Sequence, residues 1–127
     1  MKIIDSIVTQ AAGMATLRRD IHAHPELCFE EVRTADLVAQ KLTEWGIPVH
    51  RGLGTTGVVG IVKNGTSSRA IGLRADMDAL PMQEFNTFSH ASVHPGKMHA
   101  CGHDGQPCCW RRPSIWQPTG ILTARWS

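Results

Sequence analysis

A break in composition at Gly105 constrains this chain more than any motif. All seven His and all eleven Asp and Glu fall in residues 1 to 105. Residues 106 to 127 instead hold three of the four Trp, three of the seven Pro, two of the four Cys and three Arg with no acid. The net charge of +2 divides accordingly, −1 before the break (ten Lys and Arg against eleven acids) and +3 after it. Proline inside a helix costs about 3 kcal/mol, so Pro107, Pro113 and Pro118 exclude a long helix from the tail. Such a break marks a linker, a fused segment or a change of reading frame. With 127 residues and 42% hydrophobic content, the chain predicts one small globular unit built from residues 1 to 105.

Along those 105 residues the apolar positions describe an alternating α/β protein. Ile4, Ile7, Val8, Ala11, Met14, Ala15, Leu17 and Ile21 recur at helical spacing, which predicts one amphipathic helix from Ile3 to about His22, stopped by Pro25. A second helix is marked by Ala35, Val38, Leu42 and Trp45, with Glu30 and Glu31 near its start and Gly46 and Pro48 closing it. Ile47 to Arg51 reads as a short strand, residues 57 to 62 as a β-rich run closed by an Asn64-Gly65 turn, and Ala70 to Ala75 as a buried strand. Helix, strand, strand, strand begins a mixed sheet flanked by helices. From Leu80 to Gly105, prolines and small polar residues predict a long irregular loop.

The chemistry is concentrated on that loop and on the strand before it. Met98-His99-Ala100-Cys101-Gly102-His103-Asp104-Gly105 gathers a thiol, two imidazoles and a carboxylate between glycines that allow tight turns. Thiolate and neutral imidazole suit zinc and its first-row neighbours, and a Cys-x-His spacing can turn both side chains to one side. A loop with a free cysteine and solvated histidines is the plainer reading of that spacing alone. Asp76 and Asp78 follow the third strand, where open α/β sheets place ligands, and can orient a metal-bound histidine or share a proton. Solvated strand-end acids are the alternative. His24-Pro25-Glu26 offers an imidazole and a carboxylate at a helix exit, either as outer groups of a metal site or as a simple surface turn. His90 and His94 read as solvated and are not assigned.

Several separated motifs then stand in one order: His22-Ala23-His24-Pro25-Glu26-Leu27, Phe29-Glu30-Glu31, Gly54-Thr55-Thr56-Gly57-Val58, Leu73-Arg74-Ala75-Asp76-Met77-Asp78-Ala79-Leu80-Pro81, and His94 through Gly105. In that order the chain resembles the metal-dependent amidohydrolases of the M20 peptidase family, in the hippurate hydrolase and N-acyl amino acid amidohydrolase branch. The resemblance covers nearly all of residues 14 to 105 and then stops. It implies the amino-terminal part of a zinc-peptidase-like α/β catalytic domain, incomplete here. It further implies Cys101 and His103 as metal ligands and Asp78 as a residue that sets the geometry of the metal site. Intact members use two divalent ions (Zn, Mn, Co or Ni) to hydrolyse N-acyl amino acids. Their glutamate base, further ligands and inserted dimerisation domain all lie beyond the position matching Gly105.

The genetic code accounts for the break. If the codons after Gly105 read His-Thr-Leu-Leu-Leu-Ala-Ala-Ala-Lys-Tyr-Leu-Ala-Thr, deleting the third base of the His codon gives Gln-Pro-Cys-Cys-Trp-Arg-Arg-Pro-Ser-Ile-Trp-Gln, which is Gln106 to Gln117. Read in the same shifted frame, residues 118 to 127 are compatible with Thr-Asp-Gly-His-Ser-Asp-Gly-Ala-Val-Val. The expectation is therefore a partial catalytic domain over residues 1 to 105, an out-of-frame tail over 106 to 127 without native structure, and a chain with weak or absent metal binding and no turnover. The rival is a small structural zinc module using Cys101, His103, Cys108 and Cys109, although adjacent Cys side chains tend to point apart. The three tail arginines give no clustered basic face for nucleic acid. The acid at Asp5 and the lack of a long apolar run argue against a signal peptide or a membrane span, which points to the cytoplasm, where the thiols stay reduced.

Overall fold

The computed structural model describes residues 5–64, 66, 68, 70–110 and 120–125. The expected single amino-terminal helix is two, α1 (Asp5–Val8) and α2 (Ala11–Ala23). Thr9 and Gln10 form the joint; the Thr9 amide closes a last turn on Asp5 O at 3.0 Å, and the Met14 amide opens the next on Gln10 O at 3.1 Å. Threonine favours local hydrogen bonding over continued helix, and Gly13 weakens the turn that follows. The expected start at Ile3 lies outside the described residues. At the other end Pro25 acts as predicted, because the residue before a proline is driven out of helical geometry and His24 sits at φ −124°.

Helix α3 (Val32–Glu44) matches its periodicity, with Thr34, Ala35, Val38, Ala39 and Leu42 buried along one face. Gly46 ends it at φ +74°, a conformation that costs glycine nothing. Its amide reaches Thr43 O at 2.9 Å and the Ile47 amide reaches Leu42 O at 3.0 Å, the paired bonds of a Schellman cap. The cap throws Ile47 back onto Leu42, and both side chains lie over Gly60: a Cβ there would meet Ile47 Cγ2 at 3.1 Å and Leu42 Cδ1 at 3.3 Å. Close seating of α3 on the sheet thus depends on this glycine.

The strands are β1 (Val49–Leu53), β2 (Gly57–Asn64), β3 (Ala70–Arg74) and β4 (Gly120–Arg125), in the spatial order β1-β2-β4-β3. β1 and β2 form an antiparallel hairpin, β4 runs antiparallel to β2, and β3 pairs parallel with β4. Gly65 of the expected turn lies outside the described residues. The tail expected to carry no native structure therefore contributes a strand between β2 and β3. Strand pairing uses backbone groups that almost any non-proline sequence supplies, which is how the tail joins the sheet.

β3 departs from its apolar sequence. It was expected to be buried, yet Ile71 is 62% exposed and only Leu73 along the strand is half-covered. Its position explains this: β3 is the edge strand at the end of the sheet away from β1 and β2, on which α3 packs. The core lies instead between α3 and the hairpin, formed by Ala35, Val38, Ala39, Leu42, Ile47 and Val58, and it extends to Ala75 and Met77 just past β3. No helix among the described residues is long and apolar enough to cross a membrane.

Because Leu42 is buried at the centre of this cluster, Leu42→Ala should cost about 2–5 kcal/mol, read as a lower urea midpoint with unchanged slope.

Candidate metal centre

Past β3 the chain keeps a two-residue alternation, with Ala75, Met77 and Ala79 buried in the core and Asp76 and Asp78 turned the other way. Two contacts fix this segment against the rest of the site. The Ala79 amide donates to Glu26 O at 2.7 Å, and Leu80 and Met98 exchange amide-to-carbonyl bonds at 2.9 and 3.0 Å. The second pair brings the start of the metal loop alongside Asp78, although twenty residues separate them in sequence.

The loop turns at Gly102, φ +81°, into a 3-10 turn at His103–Gly105, closed by the Gly105 amide on Gly102 O at 3.0 Å. A turn this tight sends successive side chains in different directions. His103 faces the strand end, where its Nδ1 lies 2.7 Å from Asp78 Oδ1. Asp104 faces α2 and is 1% exposed; its Oδ2 meets His22 Nδ1 at 2.8 Å and accepts from Arg18 Nε at 2.9 Å. The other nitrogen of His22, Nε2, lies 3.1 Å from Glu84 Oε1. Glu84 also accepts from Asn86 Nδ2 at 2.8 Å and from the Ser92 amide at 2.6 Å.

The electrostatics sort these groups. Burial pushes the Glu84 carboxyl up, but hydrogen bonds from Asn86, Ser92 and His22 outweigh it and hold Glu84 below the usual carboxylate range. Desolvation, then the Glu31, Asp78 and Asp76 carboxylates, push the Cys28 thiol up, so this exposed cysteine beside the site is a poor competitor for metal. His99 is buried, and neither ring nitrogen has a hydrogen-bond partner among the described residues. Burial is the main reason its basicity is lowered.

The sequence brought Cys101, His103 and Asp78 into view together, and the structure brings His103 and Asp78 into contact. With Nδ1 directed at the carboxylate, the other ring nitrogen of His103 would be the one to serve a metal, and Cys101 two residues away is an exposed thiol. These two donors fit a divalent metal in type. Among the described residues, no group of three or more His, Cys, Asp or Glu is placed to hold an ion.

Other expectations resolve differently. Asp76 does not act with Asp78: it ion-pairs with Arg74 at 2.6 Å, and its amide donates to Gln106 Oε1. The His24 and Glu26 side chains are engaged elsewhere, although Glu26 O holds the Ala79 amide beside Asp78. His24 Nδ1 sits 2.8 Å from Asp20 O, and Glu26 accepts from the Arg33 and Thr34 amides, satisfying donors that the start of α3 would otherwise leave unpaired. Cys108 points to α2, its thiol donating to Met14 O and Asp104 O; the Cys109 side chain lies outside the described residues. His22 and Glu84 went unassigned, although Arg18 and His22, four residues apart on one helix face, signalled a polar stripe beside buried Ile21.

The comparisons with known proteins follow this geometry. Residues 72–108, which span the strand end and the metal loop, match the model of peptidase family M20/M25/M40. The chain is 50% identical over 105 residues to a hippurate hydrolase of Campylobacter jejuni, covering 83% of this chain and 27% of that protein. It is 43% identical over 105 residues to an N-acyl-L-amino acid amidohydrolase of Geobacillus stearothermophilus, covering 82% and 27%. The chain belongs to the M20 peptidase family. A Bacillus subtilis M20 peptidase described as dinuclear and metal-binding superposes with a TM-score of 0.82 at 32% identity, covering 91% of this chain and 34% of that one. The fold is thus a partial M20 domain, and the chain spans about a quarter of the length of the curated M20 relatives named above.

His99 gives this M20 chain a pH-dependent stability. An unfolded His99 binds a proton at its ordinary value of 6.5 while the folded one resists it. Stability is therefore full above that pH and lost as pH falls through it. His99→Leu should flatten that slope between about pH 8 and about pH 5 in urea titrations.

Proposed function

We propose that the chain is the amino-terminal part of a metal-dependent amidohydrolase acting on the amide bond of N-acyl amino acids of the hippurate type, and that these 127 residues alone do not turn over substrate. The observation that carries the reading is the Asp78–His103 contact beside Cys101, on a chain half identical to a hippurate hydrolase over 105 residues. Cys101 and His103 hold a divalent ion, Zn, Mn, Co or Ni. Asp78 fixes the tautomer and ring direction of His103 and raises its strength as a ligand. A bound ion pair, as in the intact family, supplies acidified water and carbonyl polarisation.

Residues 106–127 hold no Asp or Glu, so within these 127 residues no side-chain carboxylate after the loop can carry a proton from water to the departing amine. The single-base deletion after Gly105 accounts for that, with residues 106–127 read out of frame, and metal binding by two protein donors is weak. The chain works in the cytoplasm, where its free thiols stay reduced, and it engages neither nucleic acid nor membrane. The structural zinc module is disfavoured by Cys108, whose thiol is turned to backbone carbonyls of α2 and the metal turn.

Two measurements test this. Release of amino acid from hippurate with added zinc, manganese or cobalt should not exceed that of a Cys101→Ala control; turnover above the control would overturn the inactivity. Sequencing the gene past the Gly105 codon should show a shifted frame encoding a Pro-Ala-Glu-Glu segment and later histidines, and a gene with no such frame would remove the deletion.

A further inference from the structure

We propose that His22 is a positioning residue for the metal turn: it donates from both ring nitrogens, to Asp104 and to Glu84, and so holds His103 in place. The proposal rests on the reading of Cys101 and His103 as metal ligands. His22 is 4% exposed, and the two carboxylates that flank its ring are buried with it. Walls of Phe88, His90 and His99, with ring centroids at 5.6, 5.7 and 6.2 Å, surround it.

The proton count follows from the other partners. Asp104 accepts from Arg18, and Glu84 accepts from Asn86 and the Ser92 amide; every such partner donates, which suits ionised carboxylates and not carboxylic acids. Each nitrogen of His22 therefore faces an acceptor, and a ring with one N–H would set a lone pair against a carboxylate. With a hydrogen on both nitrogens, His22 and the exposed Arg18 balance the buried Asp104 and Glu84, and the cluster is neutral. Without it, a net negative charge is buried, which is costly.

Placement gives the cluster its role. His22 belongs to α2, Glu84 to the long loop, and Asp104 follows His103 directly in the 3-10 turn. One imidazole thereby ties helix, loop and metal turn together. Asp78 aims the His103 ring, and His22 fixes the backbone that carries it. Loss of such supporting contacts in metal sites costs about 10–100-fold in affinity.

Two readouts on the full chain test this. In ring-nitrogen NMR, His22 should show hydrogens on both nitrogens; a single protonated nitrogen would overturn the proposal. Cobalt titration followed by the thiolate-to-cobalt absorption at Cys101 should weaken about tenfold or more in His22→Gln, with faster amide exchange at Gly105 and Gln106. Glu84→Gln, a gentler change, should move the same readouts in the same direction if His22→Gln does not fold. Unchanged cobalt affinity in a folded variant would reduce His22 to a core residue and sink the proposal. Absence of the cobalt band in the unaltered chain would instead defeat the metal reading, while the NMR and exchange results still decide whether the clamp exists.

Discussion

The hydrogen bond between Asp78 and His103 is the contact on which the functional reading hangs. It spans 2.7 Å between a strand end and a loop twenty-five residues later, and it works only if both backbones are held. The strand end is held by Ala75, Met77 and Ala79, which bury in the core side while Asp78 turns outward. The loop is held by the Leu80–Met98 pair and by Asp104, which anchors the turn to α2. Removal of either support frees the ring that Asp78 contacts.

The architecture separates two kinds of stabilisation. Apolar burial joins α3 to the β1–β2 hairpin, and closeness there depends on Gly60 and on the Schellman cap that folds Ile47 onto Leu42. Around the metal turn the groups are charged: buried His22, Glu84 and Asp104, joined from the surface by the exposed Arg18, satisfy one another in a small polar centre. A polar centre contributes less net stability than an apolar one of its size, but each member demands its partners, which fixes a single arrangement. Positional accuracy is what a metal site requires of its surroundings.

Much of this was legible in the sequence, for identifiable reasons. α3 was readable because Ala35, Val38 and Leu42 repeat at helical spacing and Gly46 and Pro48 close it. Cys101, His103 and Asp78 were readable because the motifs that carry them stand in the order of the M20 family, whereas their residue types and spacing alone fit a solvated loop and strand end equally well. The exposure of β3 was not, since Ile71 and Leu73 look buried and only the spatial strand order shows them on an edge. Nor were the roles of Glu26 and Asp104: a carboxylate that caps a helix or anchors a turn has the same letter as one that binds metal, and its partners come from distant parts of the chain. The break at Gly105 was visible in composition, whereas the strand at Gly120–Arg125 was not, because a sheet accepts backbone from nearly any non-proline segment.

The central claim is that one thiolate and one imidazole, supplied by Cys101 and His103, are the protein donors to a metal on this chain. X-ray absorption at the zinc edge of the zinc-loaded chain reads the inner coordination directly. The account predicts one sulfur at about 2.3 Å and one imidazole nitrogen at about 2.0 Å, the remaining neighbours being light atoms from solvent. Two or more sulfurs around the zinc, as a site recruiting Cys108 and Cys109 would give, would contradict it.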